Sequence, residues 1–382
     1  MNLSDEQQAM RDVVREFAVE EIRPVARESD ADQTFPEDVW DGLADLDMTS
    51  LTVPEEYGGL DVDRLTYSVI NEEVAYGMLS VATALSVHSL ATSCIAEFGS
   101  DDQKERWLPD MAEGRPVGAF ALSEPQAGSN PAEMTTEARR VERADGGAGD
   151  EYVINGKKQW ITNGERSGVV VLFAKTDRDD PRSVTQFVVP KDADGLEVGK
   201  KEDKLGLRAS DTTSLVFDDV RIPAENRLTE EGKGLSAAFH ILTGGRIGIA
   251  SQSVGLAQSA LDEAVAYAQD REQFDQPIAD IQTVRHKLAD MKTQLEAARL
   301  LTRDAARRED EGESVEAAAS MAKYFASEAA VDVTNEAVQI HGGYGYTTDF
   351  DVERLYRDSK ITTIYEGTSE IQKKVIARNL LD

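Results

Sequence analysis

Tyr152-Val-Ile-Asn-Gly-Lys-Lys-Gln-Trp-Ile-Thr162 decides how the 382-residue chain is read. Its β-branched and aromatic residues flank Asn155-Gly156, a dipeptide that tolerates the positive φ angles of a type I′ turn, so the segment predicts a β-hairpin. Further β-rich runs follow at 169–175, 185–190, 196–198 and 214–222. No helical pattern long enough for a crossover separates them, so the sheet is expected to be mostly antiparallel. The charged, Gly-rich stretch 139–150 reads as a surface loop.

On both sides of this region the period changes to that of helices. Ser4-Asp5-Glu6-Gln7 is a capping box, and Met10, Val13, Val14, Phe17 and Ile22 follow at roughly helical spacing. Helical patterns resume at 39–46, 66–75, 81–98 and 101–111, with a turn-rich loop at Pro54-Glu-Glu-Tyr-Gly-Gly59. After Gly234 come three long helical stretches, 235–270, 280–311 and 315–339, the last two divided by Gly312. A loop with Gly342, Gly343, Gly345 and Gly367 leads to a final short helix at 369–381. The expected fold is α+β: an N-terminal α-helical domain (1–117), a middle antiparallel β domain (118–228) and a C-terminal four-helix bundle (229–382).

Composition narrows the function. There are 41 Lys and Arg against 72 Asp and Glu, a formal net charge of −31. Nucleic acid is excluded as a partner, since phosphate binding needs clustered cations. A charge this large exceeds what solubility requires and repels itself at low ionic strength. It predicts a halophilic protein that works in concentrated salt, where the screening length is about 3 Å at 1 M. Hydrophobic residues make up 40% of the chain, too many for a disordered acidic tail. The apolar runs, such as 169–174, fall short of the ~20 residues of a membrane span. With Asp5 and Glu6 at the start and no apolar h-region, the expectation is a cytoplasmic protein that does not use a membrane. One cysteine, Cys94, excludes an internal disulfide and fits a small buried hydrophobe. The four histidines have no metal-ligand spacing, so no metal is expected.

Gly232-Lys-Gly234-Leu-Ser-Ala237 matches a relaxed dinucleotide fingerprint, but it follows an antiparallel region instead of a strand of a parallel βαβ unit, and that reading is rejected. No GxSxG elbow and no Walker A sequence occurs. Two loops carry a signal. Phe120-Ala-Leu-Ser-Glu-Pro-Gln-Ala-Gly-Ser-Asn130 offers small residues that let backbone N–H groups approach an anion or an electron-rich ring. Tyr365-Glu-Gly-Thr-Ser-Glu-Ile-Gln372 sets Glu366 between apolar residues just before a helix. Desolvated there, Glu366 would have a raised pKa and could act as a base; equally, it could simply favour the helix N-terminus.

Together these loops resemble the two signature segments of the acyl-CoA dehydrogenase family. Lys158-Gln-Trp160-Ile-Thr162-Asn, Arg271-Glu-Gln273-Phe274 and Gln339-Ile-His-Gly-Gly343-Tyr-Gly lie in the family's order, and the likeness spans essentially the whole chain. The resemblance implies one FAD per subunit. Phe120, Leu122 and Ser123 would meet the flavin's pyrimidine side, Trp160 and Ile161 would lie against its ring, and Thr162 would bond near N5. Ser129 would reach the pyrophosphate and the bound thioester. Arg271, Phe274, Gln282, Gln339, Gly342 and Gly343 would grip the FAD of a neighbouring subunit, with Thr368 and Glu370 at its adenine half. Sharing the cofactor implies a homo-oligomer, commonly a tetramer.

The resemblance also implies the chemistry: an acyl-CoA loses its α-hydrogen as a proton and its β-hydrogen as a hydride to flavin N5. Some branches carry the base on the long helix directly before an Arg. That position here is Gly245, before Arg246, which leaves Glu366 as the implied base, with Arg246 beside it. Gly244, Arg246, Tyr365, Gly367 and Ser129 are the implied substrate contacts. Leu242-Thr-Gly-Gly-Arg246-Ile-Gly-Ile-Ala-Ser251 is especially like the short-chain, butyryl-CoA branch, with medium-chain, branched-chain and oxidase forms as alternatives. Ser86-Val-His88-Ser89-Leu90 is expected at the acyl-pocket floor, with His88 unassigned. No Arg occurs from 80 to 95, against a dicarboxylate substrate. Electrons are expected to leave through an electron-transfer flavoprotein.

Overall fold

The computed structural model describes residues 3–142 and 150–381. The N-terminal helices are α1 (Asp5–Phe17), α2 (Arg23–Asp32), α3 (Glu37–Asp45), α4 (Arg64–Gly77), α5 (Leu79–Phe98) and α6 (Asp101–Ala112). The expected capping box opens α1: Ser4 Oγ accepts from the Gln7 N–H, and the Gln7 side chain accepts from the Ser4 N–H, both at 3.1 Å. Ser100 and Gln103 repeat the device on α6. By length and composition alone α5 could cross a membrane, yet 83% of its most apolar window is buried inside the protein. Its apolar side chains pack against the bundle on one side and the sheet on the other.

The middle region holds β1 (Gly118–Ala121), β2 (Glu137–Glu142), β3 (Asp150–Thr162), β4 (Val169–Lys175), β5 (Val184–Pro190), β6 (Leu196–Lys201) and β7 (Thr212–Pro223). They form one sheet in the order β1-β4-β2-β3-β7-β6, with β5 on β4. The pairs β2–β3, β3–β7, β4–β5 and β6–β7 are antiparallel, whereas β1–β4 is parallel. The runs in β4 and β5 are apolar because both faces are covered. Val169, Val171 and Phe173 join a core with Leu90, Ile95, Leu108 and Met111, and Val170, Leu172 and Ala174 join another with Tyr152, Ile154 and Phe217.

Two sequence expectations fail here. Asn155-Gly156 is not a hairpin turn: β3 runs straight through it, paired with β2 and β7, with a register shift between Ile154 and Gly156. Glycine is needed because the chain passes Thr136 closely, where a Cβ would come within 2.7 Å of the Thr136 Cα. Asn155 instead exchanges hydrogen bonds with Asp219. The stretch read as a surface loop is strand at both ends, since Arg139–Glu142 belong to β2 and Asp150 opens β3; residues 143–149 lie outside the described residues.

The C-terminal region comprises α7 (Gly234–Asp270), a small ribbon of β8 (Glu272–Gln273) and β9 (Gln276–Pro277), then α8 (Gln282–Asp310), α9 (Glu316–His341), α10 (Val352–Thr362) and α11 (Ser369–Leu381). It therefore has five helices instead of four, because α10 occupies a segment read as loop. Gly232 and Gly234 form no nucleotide turn. Gly234 begins α7 where a Cβ would lie 2.8 Å from the Thr185 backbone. The fold is held chiefly by burial, since each fully buried Leu, Ile, Val or Phe contributes about 1.5–3 kcal/mol. Exposed ion pairs such as Arg182–Asp180, screened by solvent, add little.

Candidate active site

A cavity of ≈ 700 Å³ opens where the three regions meet. Thr83, Ser86 and Val87 of α5 line it, together with Phe120, Leu122, Ser123 and Ser129, Trp160–Thr162 at the end of β3, Arg246 and Ile249 of α7, and Tyr365–Thr368. Segment 203–207 and Thr212 complete the β side. Of the residues singled out by sequence, Phe120, Leu122, Ser123, Ser129, Trp160, Ile161, Thr162, Arg246, Tyr365, Glu366, Gly367 and Thr368 thus come together.

The β wall is built on a strained strand end. A register shift between Lys158 and Ile161 turns Trp160 to φ 62°, and its indole stays 60% exposed. Behind it Lys158, fully buried, donates to Glu124 Oε1 at 2.8 Å and to the Leu122 carbonyl at 3.2 Å. Glu124 also accepts from the backbone N–H groups of Thr135 and Thr136. Burial acts to raise its pKa, but the Lys158 charge and these bonds hold it down at about 2. The pair locks loop 122–136 from below, and the Gln159 N–H bonds the Ser123 carbonyl at 3.0 Å. With apolar Leu122, Trp160 and Ile161 beside the hydroxyls of Ser123, Ser129 and Thr162, the wall suits a large, partly polar aromatic ring system.

The opposite wall is the turn between α10 and α11. Glu366 sits at φ 53° and Gly367 at φ 91°, two successive left-handed residues. Glu366 Oε2 is out of solvent and has no hydrogen-bond partner among the described residues. Burial pushes the carboxyl up to about 6, against the pull of Lys323 and Arg246. Arg246 Nη1 is likewise buried and unpartnered. A Cβ built on Gly245 would lie 3.6 Å from Glu366 Oε2, so this position on α7 backs directly onto the carboxylate.

Three family models cover the chain end to end: acyl-CoA dehydrogenase N-terminal domain at residues 4–115, middle domain at 119–220 and C-terminal domain at 232–381. The chain belongs to the acyl-CoA dehydrogenase family. Membership makes it an oxidoreductase, and FAD is the family's cofactor. It is 44% identical over 383 residues to the short-chain specific acyl-CoA dehydrogenase of Rattus norvegicus mitochondria, covering 100% of this chain and 91% of the relative. It superposes with a TM-score of 0.95 on butyryl-CoA dehydrogenase from Megasphaera elsdenii, 41% identical and covering 100% of both chains. A chain from the electron transferring flavoprotein structure of Acidaminococcus fermentans also gives 0.95, at 40% identity, covering 100% of this chain and 99% of that one.

Other expected residues lie away from this cavity. Arg271, Phe274, Gln282, Gln339, Gly342 and Gly343 are exposed, with the Arg271 guanidinium 5.9 Å from the Tyr344 ring centroid. Phe274 is 85% exposed, at φ 56°. Glu370 is exposed on α11 and absent from the lining. Gly244 faces away, where a Cβ would meet the Arg64 guanidinium at 2.7 Å. His88 is not at the acyl floor. Its Nδ1 accepts from the Gly118 N–H at 2.9 Å, and its Nε2 bonds the Met111 carbonyl at 3.1 Å, so it is a neutral clasp joining α5, α6 and β1. Burial lowers its pKa to about 4. Ser86 and Val87 line the cavity, whereas Ser89 and Leu90 do not.

Sequence reading missed Lys323, buried on α9, whose Nζ donates to the Gly367 carbonyl at 2.8 Å. A signal was present: Lys323 shares a helical face with Ala319, Ala326 and Ala330, a face too apolar for solvent.

Proposed function

We propose that the protein oxidises a short-chain saturated acyl-CoA, butyryl-CoA foremost, to the trans-2-enoyl-CoA, with Glu366 as the base that removes the α-proton. The observation that carries this reading is the unpartnered, buried Glu366 Oε2 opposite the Trp160–Thr162 wall. A carboxylate with no competing donor in a dry cavity is a strong base, and its raised pKa suits proton abstraction near neutrality. Gly245 brings no second carboxylate to this point, and a Cβ there would already sit 3.3 Å from Leu90 Cδ2.

The weakly acidic α-proton leaves only if charge developing on the thioester oxygen is stabilised. The Glu366 N–H donates no hydrogen bond among the described residues, so it is free for that oxygen. FAD, when bound against Leu122, Ser123 and Trp160–Thr162, supplies the acceptor for the β-hydrogen. Arg246 holds positive charge near the carboxylate, and the apolar lining excludes water.

Behind Tyr365, which lines the cavity, a buried polar chain would resist a longer acyl tail. Tyr365 Oη donates to Gln252 Oε1 at 3.3 Å, and Gln252 Nε2 donates to the Ala82 carbonyl at 3.1 Å and to Asn71 Oδ1 at 3.3 Å. A longer acyl tail would have to break these bonds, leaving buried polar groups unpaired at about 1–3 kcal/mol each. The 44% identity to a short-chain specific enzyme supports the same limit.

The exposed Arg271, Phe274 and Tyr344 support a homo-oligomer, a tetramer by family habit, in which this end completes a neighbour's FAD site. We further propose an electron-transfer flavoprotein as acceptor, by likeness to a chain solved with that name. Adding butyryl-CoA anaerobically to the yellow protein tests the reading. Bleaching of the flavin, reversed by an electron-transfer flavoprotein and not by O₂, is expected. No bleaching with any saturated C4–C16 acyl-CoA refutes it, and rapid reoxidation by O₂ alone makes the protein an oxidase.

A further inference from the structure

Lys323 is a fully buried lysine for which the geometry leaves no conventional partner. Among the described residues its ammonium forms no ion pair within 4 Å, and its one hydrogen bond goes to the Gly367 carbonyl, 2.8 Å away. Burying a lone ammonium is costly, so an unpaired one needs a compensating role. The same carbonyl accepts from Gln372 Nε2 at 2.9 Å, and Gln372 also reaches the Glu366 carbonyl at 3.3 Å. Two helices, α9 and α11, therefore converge on the two left-handed residues of one turn. Gln372 is itself fully buried, and a Cβ on Gly367 would strike its Nε2 at 2.6 Å. The turn thus cannot shift without dislodging both donors.

The charged groups around this turn come from four elements. Arg246 projects from α7, Lys323 and Glu328 from α9, Glu370 from α11, and Tyr365 and Glu366 from the turn itself. Glu328 is engaged by the Ser369 hydroxyl at 2.6 Å, and Glu370 is exposed. Glu366 is left as the buried carboxylate that the Lys323 charge acts on most strongly.

We propose that Lys323 is a positioning residue for the reaction: it pins the Glu366–Gly367 turn through the Gly367 carbonyl and, with Arg246, stands as a buried countercharge to the Glu366 carboxylate. This rests on Glu366 being the base, but the placement of the countercharge is testable apart from turnover. An opposite charge a few ångströms away in a desolvated site lowers a carboxyl's pKa by about 1–3 units. In acid–base terms Lys323 takes no proton from substrate. It sets the fraction of Glu366 able to accept one. Gln372, uncharged, shares the pinning and not the electrostatics, and so serves as the internal control.

The test is infrared difference titration of the FAD-loaded protein between pH 4 and 9. The C=O band of protonated Glu366 is assigned by its loss in Glu366→Gln. Lys323→Gln keeps a donor and removes the charge, and should raise the Glu366 midpoint by about one pH unit or more; Lys323→Arg and Gln372→Leu should leave it within half a unit of wild type. A Lys323→Gln midpoint unchanged, or a Gln372→Leu shift equally large, overturns the proposal. Should Lys323→Gln fail to fold, the pair is read from the other side. Burial lowers the Lys323 pKa to about 8 while Glu366 opposes that fall. The unfolded state then binds the extra proton above the folded pKa, so stability rises with pH in that window. Glu366→Gln should extend the window downward, giving a steeper rise of Tm from pH 7 to 8 than wild type; identical slopes overturn the proposal. Because neither readout needs butyryl-CoA, failure of the countercharge is distinguishable from failure of the dehydrogenase reading, which the anaerobic bleaching decides.

Discussion

Lys158 and Lys323 stand behind opposite walls of the same cavity, both fully buried and both lowered to about 8 by burial. Lys158 has its own carboxylate, Glu124, at 2.8 Å, and that carboxylate is saturated with further donors from residues 126, 135 and 136. Lys323 has only a carbonyl, and the nearby Glu366 keeps an oxygen unpartnered. A closed pair fixes shape and has no chemistry left to give. An open pair leaves a carboxylate whose proton affinity is set by its surroundings and is free for substrate. On this reading the β wall is scaffold, and the bundle wall carries the proposed base.

Breaking each pair should give opposite signatures. Lys158→Met leaves Glu124 charged and buried, which costs about 3–5 kcal/mol. A large drop in Tm and loss of bound FAD are expected, with Lys158→Met/Glu124→Leu regaining much of the stability; an unchanged Tm in the single variant would mean the pair holds nothing. Next in size is the base position. In Glu366→Gly/Gly245→Glu the carboxylate returns to the same region from α7, and flavin reduction should persist at roughly 10²-fold below wild type, the cost of ångström-scale misplacement. A double variant as inactive as Glu366→Gly alone would mean the two positions are not interchangeable. The pH profile follows. Since Glu366 must be ionised to accept a proton, and its pKa is raised to about 6, reduction should be full above that value and fall roughly tenfold per pH unit below it. Stopped-flow reduction from pH 5 to 8 measures this, and a rate that stays flat down to pH 5 removes Glu366 from the step.

The smallest effect concerns charge over the whole surface. At −31 the molecule repels itself, and 26 Arg with 15 Lys offset 72 acids only in part. Molar KCl should raise Tm relative to low salt. A Tm indifferent to KCl would sever the acid surplus from stability. Acyl-CoA and FAD are both anionic phosphate esters, so the surplus opposes their long-range approach.

Much of the fold was legible because most elements follow their period. The N-terminal capping box, the long helices and the buried β4 and β5 runs all carry local signals. Three features did not, each for a reason of its own. Asn155-Gly156 has the chemistry of a turn, but its glycine serves a close approach to Thr136, just before β2. Segment 139–142, Arg-Arg-Val-Glu, is charged and largely solvent-facing, and it is a strand only because it pairs with β3, which local composition does not reveal. Helix α10 buries Arg354, Asp358, Ser359 and Thr362 beside Val352 and Leu355, so few apolar residues mark its inward face after the Gly-rich stretch before it. At the site, Phe120, Leu122, Trp160–Thr162, Arg246 and Tyr365–Thr368 line one cavity, whereas Lys323, Gln372 and the Glu124–Lys158 pair emerged only when distant helices and strands met. His88 was misplaced for the same reason, as its partners Gly118 and Met111 come from other elements.

The central claim is that an unpaired, buried carboxylate on the α10–α11 turn does the chemistry. Anaerobic mixing of butyryl-CoA with Glu366→Gln, purified with FAD bound, tests it most directly. The account predicts that the flavin absorbance stays intact while the acyl-CoA still binds, with reduction slowed by about 10²–10⁴-fold or more; bleaching at the wild-type rate would contradict it.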